Sequence, residues 1–174
     1  MPTENEVKFV LTLNCEANIA KDSAEKWYIR QGYLFVAKGS SVRLREAKHG
    51  KEVAHTLTVK STSPAGRCVE VEKRLGERDF RDMWTQTFNR LHKVRYCLPG
   101  GRREHWDVDF FRDDRDHTYF ALAECEMPES RHRPLTIPPV VAKHLVFEVP
   151  AGDGRFASKL LADVRYAKEL LEQL

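Results

Sequence analysis

A chain of 174 residues, 41% hydrophobic and 32% charged, is long enough to bury a real core, and one domain spanning 1–174 is expected. Its net charge of +3 is too small to argue by itself for a nucleic-acid or membrane surface, and no apolar run is long enough to span a bilayer. Met1-Pro2-Thr3-Glu4 carries neither a basic region nor a hydrophobic stretch, and Cys15, Cys68, Cys97 and Cys125 form no C-x-x-C pair. A cytoplasmic protein with reduced, mostly buried thiols is therefore expected.

Residues 4–14 alternate as a strand, and the spacing from Asn18 to Arg30, with Ile19 and Trp27, predicts a helix closed by Gly32. Strands follow over 31–36, 41–48 and 52–61, with turns at Lys38-Gly39-Ser40 and His49-Gly50-Lys51. After a turn at 61–66 comes a strand over 67–74. Phe80, Met83, Trp84, Thr87, Phe88 and Leu91 then form a helical stripe. Strands over 92–98 and 104–112 flank Pro99-Gly100-Gly101, and a last clear strand runs from His117 to Met127. Residues 128–139 are Pro-rich and read as loop, whereas 140–149 stays ambiguous between helix and strand. Asp153 is a candidate cap for a final helix carrying Phe156, Leu160, Val164, Ala167, Leu171 and Leu174.

Alternate side chains of a strand share a face. Glu4, Glu6 and Lys8 therefore lie opposite Val7, Phe9, Leu11 and Leu13. Like-signed or mixed ionic pairs recur at Arg43 and Arg45, Lys60, Glu70 and Glu72, Lys93 and Arg95, Asp107 and Asp109, and Glu124 and Glu126. One such strand is more often half exposed, with cross-strand ion pairs. The repetition instead predicts an α+β fold: an eight-stranded antiparallel β-barrel forming a tunnel, charged inside, with helices packed on its apolar outside.

Burying so many ions dry costs several kcal/mol for each unpaired one, so the bore must be wet, mutually paired or built for charged ligands. Guanidinium and ammonium groups clamp phosphate oxygens. Carboxylates repel phosphate but hold Mg²⁺ or Mn²⁺, which bridges to it. Acids beside bases in one cavity thus point to a metal–polyphosphate complex.

The same residues resemble the CYTH, or triphosphate tunnel metalloenzyme, superfamily. The resemblance rests on Glu4-x-Glu6-x-Lys8, Arg43-x-Arg45, Thr56-Leu57-Thr58-Val59-Lys60, Glu70-x-Glu72, Lys93-x-Arg95-Tyr96, Trp106-x-Val108-Asp109-x-Phe111 and Ala123-Glu124-x-Glu126, in order over nearly the whole chain. Gln31-Gly32-Tyr33-Leu34 is similar to the small bacterial and plant-type inorganic triphosphatases of that group. The resemblance implies a divalent-metal-dependent hydrolase acting on inorganic triphosphate to give pyrophosphate and phosphate. It further implies phosphate binding by Lys8, Arg43, Arg45, Lys60, Lys93, Arg95 and Arg155, and metal binding by Glu4, Glu6, Asp107, Asp109, Glu124 and Glu126, with Glu70 and Glu72 as additional candidates. Glu4, Glu6, Lys8, Lys93, Arg95 and Glu126 form the implied catalytic set.

The bland readings stand for the rest. Lys73, Arg74, Arg102 and Arg103 read as solvent charges, the seven histidines show no metal spacing, and Trp27 and Trp84 read as helix-to-barrel packing. The partner is a small-molecule triphosphate; no membrane is expected, nucleic acid is disfavoured, and a homodimer is compatible with the sequence. The rival activities are a class IV-type adenylate cyclase, a thiamine or nucleoside triphosphatase of the same fold, and a non-catalytic polyphosphate or nucleotide sensor.

Overall fold

A computed structural model describes residues 5–63, 68–101 and 103–174. Glu4, the turn residues 64–66 and Arg102, all assigned roles above, lie outside the described residues. The strands are β1 Glu6–Leu11, β2 Glu25–Ala37, β3 Ser40–His49, β4 Glu52–Thr62, β5 Cys68–Arg74, β6 Phe88–Leu98, β7 His105–Arg112, β8 Thr118–Glu126 and β9 Leu145–Glu148. They form one antiparallel sheet in the order β5-β4-β3-β2-β6-β7-β8-β1-β9.

The fold is α+β, as expected, but the closed eight-stranded barrel is corrected. Among the described residues there are nine strands, and the end strands β5 and β9 are not hydrogen-bonded to each other. The reason lies in the ambiguous 140–149 stretch, which makes α3 (Pro139–Lys143) and then β9. The β9 strand occupies the edge of β1 that is not paired with β8. The sheet nonetheless curls, because Lys60 and Glu70 from one end line the same cavity as Glu6 and Lys8 from near the other. Among the described residues no helix is long and apolar enough to cross a membrane.

Three helical expectations are shortened. Helix α1 spans Glu16–Asp22 and buries Ile19, but the chain then enters β2, where Tyr28 and Ile29 pair with both β3 and β6 and Trp27 with β6. Aromatic and β-branched residues with partners on both sides favour strand over helix there. Helix α2 stops at Trp84 (Glu77–Trp84), so Phe88 and Leu91 belong to β6. The C-terminal stripe is broken into a 3₁₀ turn Gly154–Phe156, α4 (Ser158–Leu161) and α5 (Val164–Glu172). Asp153 caps the first by accepting from Arg155 N, and Asp163 caps the last by accepting from Arg165 N and Tyr166 N. The break shifts the phase, so Leu161 and Leu170 are buried rather than Leu160 and Leu171.

The core has two layers. On the outer face Phe9, Leu11, Val94, Tyr96, Trp106, Val108 and Phe110 pack under Cys15 and Ile19 of the α1 region and Val141 of α3. The second cluster joins Val10, Leu91, Phe111, Phe120 and Leu122 to Phe156, Leu161, Ala167 and Leu170. Those strand residues continue the alternation of Lys8, Lys93, Asp109 and Glu124, so they belong to the inner face. The expectation that every helix packs outside is therefore corrected: the C-terminal helices plug one end of the inner face. The outer wall is not uniformly apolar either. Under α2, Glu46 binds Arg30 at 2.8 Å, Lys48 at 3.0 Å and His55 at 2.9 Å, and the Phe80 ring lies 4.4 Å from His55. Burial alone would raise Glu46, but those donors lower it to about 2.

Gly32 is not a turn residue; it lies inside β2 where the pairing register shifts. A Cβ there would meet the Thr87 Cβ and Oγ1 at 2.8 Å. Gly32→Ala is accordingly expected to destabilise the fold by about 1–3 kcal/mol in urea denaturation, with part of the loss recovered when Thr87 is also replaced by Ala. An unchanged midpoint would contradict the close approach.

Candidate active site

The charged half of the inner face surrounds a cavity of about 950 Å³ lined by Glu6, Lys8, Arg43, Arg45, Lys60, Glu70, Glu72, Lys93, Arg95, Glu124 and Glu126. Seven of the nine strands carry the alternating pattern, and cross-strand register turns it into contact. Glu6 faces Glu126 and Lys8 faces Glu124 across β1 and β8, while Arg95 faces Asp109 and Cys97 faces Asp107 across β6 and β7.

Much of this set is mutually paired. Lys8 Nζ donates to Glu124 Oε1 at 2.6 Å and meets Glu6 Oε1 at 2.8 Å. Burial opposes the ammonium, yet Glu124 and Glu6 outweigh it and hold Lys8 above the usual lysine range. Lys93 Nζ donates to Asp109 Oδ2 at 2.5 Å. Arg95 forks onto Asp109 at 2.7 Å through Nε and Nη2, reaches Glu124 at 3.2 Å, and also binds Asp107 Oδ2. Glu124 is held below the usual carboxylate range: burial would raise it, but Lys8, Lys93 and Arg95 prevail. At the other wall Glu70 binds Arg43 at 3.2 Å and Lys60 at 2.8 Å, while Thr58 Oγ1 donates to Glu72 at 3.2 Å.

Three groups break the pairing: Arg45, Glu72 and Glu126 have no ion pair among the described residues. Arg45 has no ion-pair partner among the described residues, and its buried Nε has no hydrogen-bond partner. Burial, then the neighbouring Arg43 and Arg95 charges, lower Arg45 to about 10. Glu126 lines the cavity on the exposed side and likewise has no ion-pair partner among the described residues. A half-buried guanidinium whose Nε has no acceptor gains from an oxyanion that completes it.

The remaining expected site residues fall into distinct places. Asp109 is 0% exposed, does not line the cavity and is ion-paired to Lys93 and Arg95, which makes it a counter-ion to both. Asp107 is buried beside Arg95 and lies behind the cavity wall rather than in its lining. Arg155 is corrected: its side chain is 49% exposed, forks onto Asp153 at 2.7–3.1 Å and does not line the cavity. Trp27 is corrected from helix packing to a β2 position stacked on His49, with ring centroids 4.9 Å apart. Cys125 belongs to the outer core, away from the acids on either side of it.

Sequence reasoning missed Tyr33 and Lys159. Tyr33 lines the cavity and accepts from Gln31 Nε2 at 2.8 Å; its strand alternation with Gln31 was the available signal. Lys159 reaches the cavity from α4, and the irregular segment between β9 and the 3₁₀ turn contributes Pro150, Gly152 and Asp153. No periodicity marks such a segment.

No protein-family profile and no curated protein matches the chain. Solved structures do. The inorganic triphosphatase NE1496 is 26% identical, with 93% of this chain and 95% of that one covered at a TM-score of 0.56. The PH1819 protein from Pyrococcus horikoshii OT3 is 13% identical over 98% and 89% of the two chains, with a TM-score of 0.54. A putative adenylyl cyclase from Hippeastrum, HpAC1, described as having a dominant triphosphatase activity, is 14% identical over 72% and 80%, with a TM-score of 0.54.

Proposed function

This chain has the fold of the CYTH, or triphosphate tunnel metalloenzyme, superfamily, and from that premise we propose that it is a divalent-metal-dependent hydrolase of inorganic triphosphate, releasing phosphate and pyrophosphate. The observation that carries the reading is Arg45, a half-buried cation with no ion pair among the described residues, inside a cavity walled by further cations. A polyphosphate chain supplies several oxyanions in a row, which suits Arg45, Arg43, Lys60 and Lys8 as successive clamps.

The donor set fits a hard cation. Glu6, Glu124 and Glu126 offer only carboxylate oxygens on adjoining strands, and two of them already converge on the Lys8 ammonium, where positive charge is stabilised. Glu6, Glu124 and Glu126 would hold Mg²⁺ or Mn²⁺, which would supply Lewis-acid stabilisation of the phosphoryl charge. The chain's own contribution is positional and electrostatic. Arg95 and Lys8 fix the rotamers of Glu124 and Glu6, and Asp109 keeps Lys93 and Arg95 aimed along the inner face. Charge developing on the transferring phosphoryl group is then met by cations already in place.

Phosphate release from triphosphate, ATP and thiamine triphosphate, each with Mg²⁺ and with Mn²⁺, tests the reading. Fastest turnover is expected on inorganic triphosphate, with all release abolished by a chelator and restored by added metal. Cyclic nucleotide from ATP would overturn it in favour of a cyclase, and tight triphosphate binding without release in either metal would make the chain a sensor.

The reading also carries a pH dependence. Lys93 is 4% exposed. Burial, only partly offset by Asp109 and reinforced by Arg95, lowers it to about 8. Anion binding needs the protonated form, which is present below that value and lost above it. In the free enzyme kcat/KM should therefore fall as pH rises through about 8, and Lys93→Arg should move that limb to higher pH. A profile that Lys93→Arg leaves in place would contradict the assignment.

A further inference from the structure

We propose that Cys97, His105 and Asp107 form a binding site for a borderline-soft divalent cation of the Zn²⁺ class, separate from the all-carboxylate set at Glu6, Glu124 and Glu126. Cys97 of β6 lies directly across from Asp107 of β7, and His105 precedes Asp107 by two positions on the same strand. All three therefore share the inner face, beside Glu126, the cross-strand partner of His105. Their ligand atoms, one sulfur, one imidazole nitrogen and one carboxylate oxygen, lie within 4.8 Å of one another.

The second observation concerns Asp107. Its Oδ2 is taken by Arg95, and its buried Oδ1 is turned to His105. That oxygen lies 2.9 Å from His105 Nε2. Ligand bonds of the lengths usual for zinc separate a nitrogen and an oxygen by roughly 3.3 Å in a tetrahedral shell, so only a small opening of this pair admits an ion. The His105 side chain is 56% exposed and gives the ion a route from solvent. Arg95, fixed on the other oxygen, acts as the outer partner that orients the ligating carboxylate.

The donor types decide the class of ion. Thiolate and imidazole suit Zn²⁺ and Co²⁺ and are poor ligands for Mg²⁺, which takes oxygen. Three protein ligands leave the fourth position to water. Binding requires the Cys97 proton to leave for solvent as the metal–sulfur bond forms. Affinity should therefore tighten as pH rises.

The test uses the untagged, reduced chain with Co²⁺ and neither triphosphate nor Mg²⁺, so its outcome is independent of the triphosphatase reading. One equivalent is expected to give thiolate-to-cobalt charge-transfer absorption and tetrahedral ligand-field bands, displaced by Zn²⁺ and unaffected by excess Mg²⁺. Cys97→Ser should abolish the charge-transfer band. His105→Ala should weaken binding by more than about 100-fold, since loss of outer partners alone costs 10–100-fold. Cys68→Ser, at another half-buried thiol, should leave it unchanged. A wild-type chain without thiolate absorption would show a hydrogen-bonded cluster only and overturn the proposal, as would a band that survives in folded Cys97→Ser.

Discussion

Arg45→Ala should lower kcat/KM for triphosphate on the order of 10³-fold, the lower range of what a single arginine contributes to phosphoryl transfer. The folded state should be no less stable for it. Arg45 has no ion-pair partner among the described residues and an unsatisfied buried Nε, so its removal strands no carboxylate and relieves repulsion from Arg43 and Arg95. Few substitutions at the centre of a fold are expected to leave stability intact while removing activity. Steady-state kinetics beside urea denaturation would check both halves. A variant that keeps wild-type kcat/KM would remove Arg45 from the substrate site, and a variant that unfolds would show that its charge is paired within the protein.

Asp109→Ala should do the opposite. Asp109 is fully buried and holds Lys93 at 2.5 Å and Arg95 at 2.7 Å, so its removal leaves the buried Lys93 without its ion-pair partner and facing Arg95, which keeps Asp107 and Glu124. Breaking a buried ion network from one side costs about 3–5 kcal/mol, a large part of the stability of a domain this size. Urea denaturation is expected to report that loss, and Asp109→Asn, which keeps an acceptor, should lose less. A stability change below about 1 kcal/mol would mean that Lys93 finds another partner or gives up its proton. The pair of variants separates the cations that the protein satisfies internally from the one it leaves for a ligand.

The ionic pairs were legible because a strand has a side-chain period of two and pairs such as Arg43 and Arg45 or Glu124 and Glu126 keep one phase. Their convergence on one cavity followed from the repetition. What alternation does not encode is where a face changes character. Lys8 and Val10, or Asp109 and Phe111, lie on the same face, but the first of each pair meets the cavity or its ion network and the second meets the C-terminal helices. Seen alone, Val10 or Phe111 reads as an outward apolar residue. The Trp27–Arg30 stretch misled for a related reason: its spacing suits a helix, and only its pairing with Lys93, Arg95 and the β3 residues makes it strand. The outer cluster of Glu46, Arg30 and His55 was invisible because its members come from three strands and a helix covers them. Charge on both walls also blurs the inference from charge to bore, which makes the unpaired Arg45 more informative than the number of ionic residues.

The most direct measurement is a crystal of the chain soaked with Mn²⁺ and a non-hydrolysable triphosphate analogue, with data collected for the anomalous signal of manganese. The account predicts a manganese peak among Glu6, Glu124 and Glu126, and phosphate oxygens against Arg45 and Arg43. Analogue and metal bound elsewhere, with the inner face occupied by water alone, would contradict it.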